Sequence, residues 1–269
     1  MNSGITIENW REYAAPAIDP SLWSAIIPAA GRGSRLGFHR PKVLYPVAGR
    51  MILEWLLDLL LPCCQTMVFV LSPEGNLEVA GELERLAPGR YQIAIQEEPR
   101  GMGDAVEVGA RLVTTRHAIT VWGDQVALRP ATIDAILRLQ QGPLQPVATV
   151  PTLTVRPPYI HFARDEKGKI ADVLQAREGD VMPAEGESDA GVFCFASSEL
   201  KNLLLELHQS PTALGRNTGE FNFLPIIPLA AQGGKTVLTP RVLAREETIG
   251  VNNADDARKL ETFLRGGRG

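Results

Sequence analysis

The sequence predicts an α/β protein with a doubly wound, Rossmann-like and mostly parallel sheet, carrying an antiparallel insertion. Two observations predict it: short apolar runs alternate with amphipathic helical patterns, and the hydrophobic period then switches to simple alternation. Strands are expected at residues 23–30, 66–71, 91–96 and 118–122, each short enough to be buried on both faces. Between them, residues 51–61 place Ile52, Trp55, Leu56, Leu59 and Leu60 on one helical face, and residues 77–86 and 106–113 repeat the spacing of three and four. Strand–helix alternation implies parallel β-α-β units, whose ligand crevice lies at the carboxyl ends of the strands. From about residue 146 to 195 the runs alternate, with turn residues Asp165, Lys167 and Gly168 between them, as an antiparallel insertion does. Helical patterns return at 198–208, 222–231 and 254–264. Residues 1–22, with Pro16 and Pro20 and no clear period, read as an N-terminal extension; 23–264 form one domain, and 265–269 a disordered tail.

Composition narrows the function classes. The chain has 269 residues, 45% hydrophobic and 22% charged, which suits one large globular domain. No apolar run approaches the roughly 20 residues of a membrane helix, and no basic-then-apolar leader is visible. A cytoplasmic location without membrane association is the resulting expectation. Cys63, Cys64 and Cys194 show neither paired nor metal-binding spacing and are expected in the core. The net charge of -4, without a basic stripe, disfavours nucleic acid as a partner.

The first strand runs into a loop holding Ala30, Gly31, Gly33, Ser34 and Arg35, followed by Pro41 and Lys42. Glycines let backbone N–H groups approach phosphate oxygens, and the basic side chains supply countercharge. The dinucleotide spacing G-x-G-x-x-G fails because the third glycine, Gly37, comes one residue late, and no G-K-[ST] follows. The second strand closes at Leu71 and Ser72 without a ribose-binding acid, which argues against a dehydrogenase.

The stretch from residue 29 to 49, AAGRGSRLGFHRPKVLYPVAG, resembles the signature of the sugar-phosphate nucleotidyltransferases. It is most similar to the uridylyltransferase domain of the bifunctional N-acetylglucosamine-1-phosphate uridylyltransferases. The resemblance implies that Gly31, Gly33, Arg35 and Lys42 are the phosphate-binding glycines, the triphosphate-binding arginine and the catalytic lysine, with Ser34 keeping a hydroxyl. Residues 96–105 resemble the base-recognition loop, with Gln96, Gly101 and Met102 among the nucleotide-binding positions. Trp122-Gly123-Asp124 resembles the aromatic-Gly-Asp metal motif, and Gly250-Val251-Asn252 the segment that supplies its asparagine partner. Mg2+ is the implied cofactor, on Asp124 and Asn252; Arg35, Lys42 and Asp124 are the implied catalytic residues. Asn252 or Asn253 alternatively serves as an N-cap for the helix expected from Ala254. The family's bifunctional members continue into a hexapeptide β-helix, and no such repeat is expected here.

The acceptor side departs from that pattern. The family's Asn-Thr-Gly stands here as Asp189-Ala190-Gly191, Tyr159 is followed by Ile160 instead of glycine, and the sugar-binding glutamate falls at Gln175. Tyr159, Gln175, Asp189 and Gly191 are the expected acceptor-binding set. The substitutions predict that N-acetylglucosamine 1-phosphate is a poor acceptor and that Asp189 suits a hydroxyl or amine, unless it bonds a neighbouring backbone N–H or Arg177. His39, His117, His161 and His208 show no ligand spacing, and the paired acids Glu97, Glu98, Glu246 and Glu247 point in different directions. The expected activity is transfer of a nucleoside monophosphate from UTP or dTTP, with CTP a further option, to a phosphorylated acceptor, foremost a sugar 1-phosphate. The alternatives are a noncatalytic nucleotide-sensing subunit on the same fold, or a cytidylyltransferase for a small alcohol phosphate or phosphonate.

Overall fold

The computed structural model describes residues 5–266. Ile5–Ile7 (β1) arises from the segment without a sequence period, and Trp23–Pro28 (β2) follows with all six residues buried. A small hairpin, Pro46–Val47 (β3) with Arg50–Met51 (β4), leads into Ile52–Leu60 (α1), whose buried stripe includes Ile52, Leu56 and Leu60. Thr66–Leu71 (β5), Asn76–Leu86 (α2), Tyr91–Ile95 (β6), Met102–Ala110 (α3) and His117–Val121 (β7) complete the alternation. Next comes Pro130–Gln140 (α4), a helix outside the sequence-based set. Its start is set by Pro130 at the first helical position, where a missing N–H costs nothing, and Ile133, Ile136 and Leu137 bury its inner face.

Ala148–Thr149 (β8), Thr152–Val155 (β9), Ile160–Arg164 (β10), Ile170–Gln175 (β11), Gly186–Asp189 (β12) and Val192–Ala196 (β13) follow. The chain closes with Ser197–His208 (α5), Ile226–Gln232 (α6), Val237–Pro240 (β14) and Ala254–Arg265 (α7). Eight strands form one sheet in the order β6-β5-β2-β7-β13-β8-β14-β1, and only β13 runs against the others. The insertion is therefore smaller than the sequence pattern suggests. The run from 146 to 155 breaks at Pro151, which lacks a ladder N–H, so β8 joins the main sheet; β13 does so too. What remains outside is the β10–β11 hairpin and the β9–β12 pair, both antiparallel.

Strand side chains alternate between two cores, as the twofold period requires. Trp23, Ala25 and Ile27 face α1, α2, α4 and α7, whereas Ile26, Val68 and Phe193 face α3, α5 and α6. The three cysteines are free and buried in the core; the hydrogen bond with Cys63, together with burial, pushes the Cys64 thiol well up, and burial does the same for Cys194. The N-terminal extension adds β1 to the sheet edge and is fixed to α4 where Arg138 Nε donates to Ala15 O at 2.7 Å. Of the expected tail, Arg265 ends α7; residues 267–269, like residues 1–4, lie outside the described residues.

Candidate active site

The chain leaves β2 for β5 and β6 on one side, then crosses back to β7 on the other, so β2 and β7 flank the switch point of the sheet. A cleft of about 280 Å³ opens there, lined by Ala30, Gly31, Lys42, Gln96, Gly101, Met102, Gly123 and Asp124 among others. Lys42 is presented by a short turn whose backbone folds back on the loop, its N–H donating to Gly31 O at 3.0 Å. Its ammonium donates to Asp124 Oδ2 at 2.8 Å and to Asn252 Oδ1 at 3.0 Å, joining residues 210 positions apart. Val251 N–H donates to Asp124 O at 3.0 Å, which fastens the Gly250 segment to the end of β7. Gly123 has to be glycine for space: a Cβ there would lie 2.5 Å from Pro28 O. Asn253 is the N-cap of α7, accepting from Asp255 N and Asp256 N, which leaves the Asn252 Oδ1 to accept from Lys42; Asn252 itself stands outside the cleft lining. One carboxylate oxygen and one amide oxygen gathered on a single ammonium make a hard donor pair, suited to a cation that completes its shell with phosphate and water. Among the described residues no group of three or more His, Cys, Asp or Glu side chains could hold a metal, so a cation here would rest on this pair and on ligands from substrate.

Gln96 follows β6 and is buried. Its Nε2 donates to Gly101 O at 3.0 Å and to Asp104 Oδ2 at 2.8 Å. A carbonyl and a carboxylate oxygen both demand donors, so the amide is held one way round and Oε1 is the group it can offer a ligand. Asp104 is a residue whose part the sequence left unassigned. Gly101 takes φ 116°, and a Cβ on it would meet Phe221 O at 2.5 Å, so the base loop closes only with glycine there.

Residues 25–209 match the family model of the MobA-like NTP transferase domain. The chain belongs to this family. Similar curated proteins include the bifunctional protein GlmU of Carboxydothermus hydrogenoformans, 30% identical over 242 residues that cover 87% of this chain and 51% of that protein. The GlmU of Granulibacter bethesdensis is 29% identical over 260 residues, covering 93% and 54% respectively. That of Enterococcus faecalis is 28% identical over 234 residues, covering 85% and 49%. The chain thus spans about half the length of these relatives. No helix among the described residues is long and apolar enough to cross a membrane.

In this NTP transferase the remaining sequence-derived residues divide by place. Gly33 is buried against Phe38, while Ser34 and Arg35 are exposed on the turn Ser34–Leu36, outside the lining of the main cleft. The expected acceptor set does not line the cleft either: Tyr159 is exposed, and Gln175 and Asp189 are buried. Gly191 backs the cleft wall, its carbonyl accepting from Trp122 N. Asp189 Oδ1 accepts from Gly191 N at 2.7 Å, the neighbouring-backbone alternative, while its Oδ2 finds no partner among the described residues. Burial raises the Asp189 carboxyl to about 6 despite that N–H. Arg177 pairs instead with Glu220 at 2.6 Å, and both of these residues line the cleft. The turn-rich run Gly215-Arg216-Asn217-Thr218-Gly219-Glu220 marks the loop that carries Glu220, but nothing local marks Arg177 as its partner. None of the four histidines lines the cleft; His117 stacks on Trp23 and His161 accepts from Glu187 N–H.

Proposed function

We propose that this transferase moves a nucleoside monophosphate from UTP or dTTP to a phosphorylated acceptor, a sugar 1-phosphate, releasing pyrophosphate and using Mg2+. The observation that carries the reading is the Lys42 ammonium held between Asp124 and Asn252 at the switch point, beside the glycine loop and the oriented Gln96 amide. An acceptor phosphate is already anionic at neutral pH, so attack on the α-phosphorus needs no general base, and the work falls to positioning and charge neutralisation. Lys42 holds the α-phosphate and the acceptor phosphate together, Gly31 lets backbone approach the phosphates, and Arg35, exposed on the turn after the glycine loop, holds the leaving pyrophosphate. Asp124 and Asn252 would hold Mg2+, which supplies countercharge to the phosphates when bound. Gln96 reads the base through Oε1, which accepts from the imide N–H of uracil or thymine. The test is pyrophosphate release measured for each common triphosphate against a panel of sugar 1-phosphates, alcohol phosphates and phosphonates. Turnover with UTP or dTTP is expected; a preference for ATP or GTP overturns the base assignment, and tight nucleotide binding without turnover favours a sensing role.

A further inference from the structure

The loop between α5 and α6 forms a wall of the cleft that is fastened at every corner. Glu178 accepts from Asn217 N, Thr218 N and Thr218 Oγ1, at 3.0, 3.2 and 2.8 Å. Phe221 N–H donates to Arg100 O at 2.7 Å and Gly103 N–H to Phe221 O at 2.9 Å, which binds the same loop to the base loop. Glu220 is thereby set at a fixed place in the lining, and Arg177, on the turn just after β11, meets it through Nη2 at 2.6 Å.

Four charged side chains line the cleft: Lys42 with Asp124, and Arg177 with Glu220. The first pair belongs to the phosphates. The second stands on the wall made by the insertion and the α5–α6 loop, and its side chains remain 50% and 35% exposed, open to a bound molecule. An ammonium brought to Glu220 also approaches Arg177, and a carboxylate brought to Arg177 also approaches Glu220, so attraction and repulsion largely offset while desolvation is still lost. Neutral hydroxyls behave differently. One can accept from the guanidinium as it or its neighbour donates to the carboxylate, and neither member of the pair has to be left unpaired.

Resting on the transfer reading above, we propose that the Arg177–Glu220 pair is the acceptor-selecting element of the cleft, favouring an acceptor whose body carries neutral hydroxyls over one that carries an ammonium or a carboxylate there. Asp189, buried and bonded to Gly191 N–H, then has no direct part in the choice. The experiment compares kcat/KM, by pyrophosphate release, for a neutral hexose 1-phosphate, its amino-sugar counterpart and its uronic-acid counterpart. The wild-type chain is expected to favour the neutral compound by about tenfold or more, a difference of about 1.4 kcal/mol. Glu220→Gln should shift the ratio toward the uronic acid and Arg177→Gln toward the amino sugar, each by about tenfold, while Arg177→Lys, which keeps the charge, holds the wild-type order. Circular dichroism and melting curves identify a variant that misfolds, in which case the other charge-removing variant carries the comparison, since each is expected to move the ratio in its own direction. A wild-type preference for a charged acceptor, or ratios that move less than about twofold in both charge-removing variants, overturns the proposal while transfer itself stands. Absence of pyrophosphate release with every triphosphate and acceptor overturns the transfer reading, and this inference with it.

Discussion

Lys42 is about one-fifth exposed, and so is its partner Asp124; in that half-enclosed place each charge interacts more strongly than at an open surface. Lys42→Ala and Asp124→Ala are each expected to cut kcat by about 100-fold or more with the melting temperature little changed, because the groups act on charge that grows during transfer. A kcat within about tenfold of wild type for either variant removes it from the catalytic set. Asn252→Ala should mainly raise the Mg2+ concentration needed for half-maximal rate, since its neutral amide contributes an oxygen but no charge. An unchanged metal titration excludes it as a ligand. Asp104 acts one step back from the base. With Asp104→Asn an amide replaces the carboxylate that accepts from Gln96 Nε2, so Gln96 can turn its donor outward. The expected result is a loss of about tenfold in the preference for UTP over CTP with kcat for UTP less affected. Equal loss for both nucleotides would assign Asp104 to loop stability alone.

At the scale of elements, the insertion is joined to the sheet by one buried network. Glu187 accepts from Arg164 Nε and Nη2 and from Thr152 Oγ1, all at 2.7 Å, and Arg164 Nη2 also donates to Thr239 Oγ1 in β14. Burial alone would raise the Glu187 carboxyl, but Arg164 and Thr152 hold it below the ordinary value. Arg164→Met leaves that buried carboxylate with Thr152 Oγ1 and the longer contact to Arg241 Nη2 at 3.6 Å, and is expected to cost about 3 kcal/mol, read as a lower urea midpoint; a shift under about 1 kcal/mol means Arg241 or water takes over the pairing. The apolar runs that form β2, β5 and β7 are readable in the sequence because a strand covered on both faces leaves a continuous hydrophobic signature, whereas β6, at the sheet edge and mostly half-exposed, shows only the alternation of Tyr91, Ile93 and Ile95. The loop residues Gly31, Lys42, Gln96, Gly101 and Asp124 were legible for a related reason, since they follow those strands closely and carry recognisable spacing. β1 was not, being three residues whose strand partner, β14, lies more than 200 positions away. Nor were Arg177 and Glu220: their pairing spans 43 positions and depends on how two loops dock, which no local period encodes.

Over the whole molecule, two buried groups give pH dependences of opposite sign in the same window. Burial, aided by Arg116, lowers the His117 pKa from its ordinary value to about 4, whereas burial raises Asp189 to about 6. Unfolding therefore takes up a proton at His117 between about pH 4 and 6.5, so stability rises with pH there. At Asp189 the folded chain keeps a proton that the unfolded chain has released, so stability falls as pH rises from about 4 to 6. The two slopes oppose, and the wild-type protein is expected to show a nearly level urea midpoint between about pH 4.5 and 6. Below that, the lowered carboxyls of Glu107, Glu178 and Glu187 must be protonated, and stability is lost as pH falls through their folded values. Asp189→Asn can keep its acceptor for Gly191 N–H while removing the titration, so His117 alone should then set the slope, with stability climbing from about pH 4.5 to 6.5. His117→Phe, which keeps a ring against Trp23, should reverse it and leave stability falling from about pH 4.5 to 6. Urea midpoints measured at four pH values across that range separate the two contributions. Parallel curves for wild type and both variants would show that neither group changes protonation on unfolding in this window.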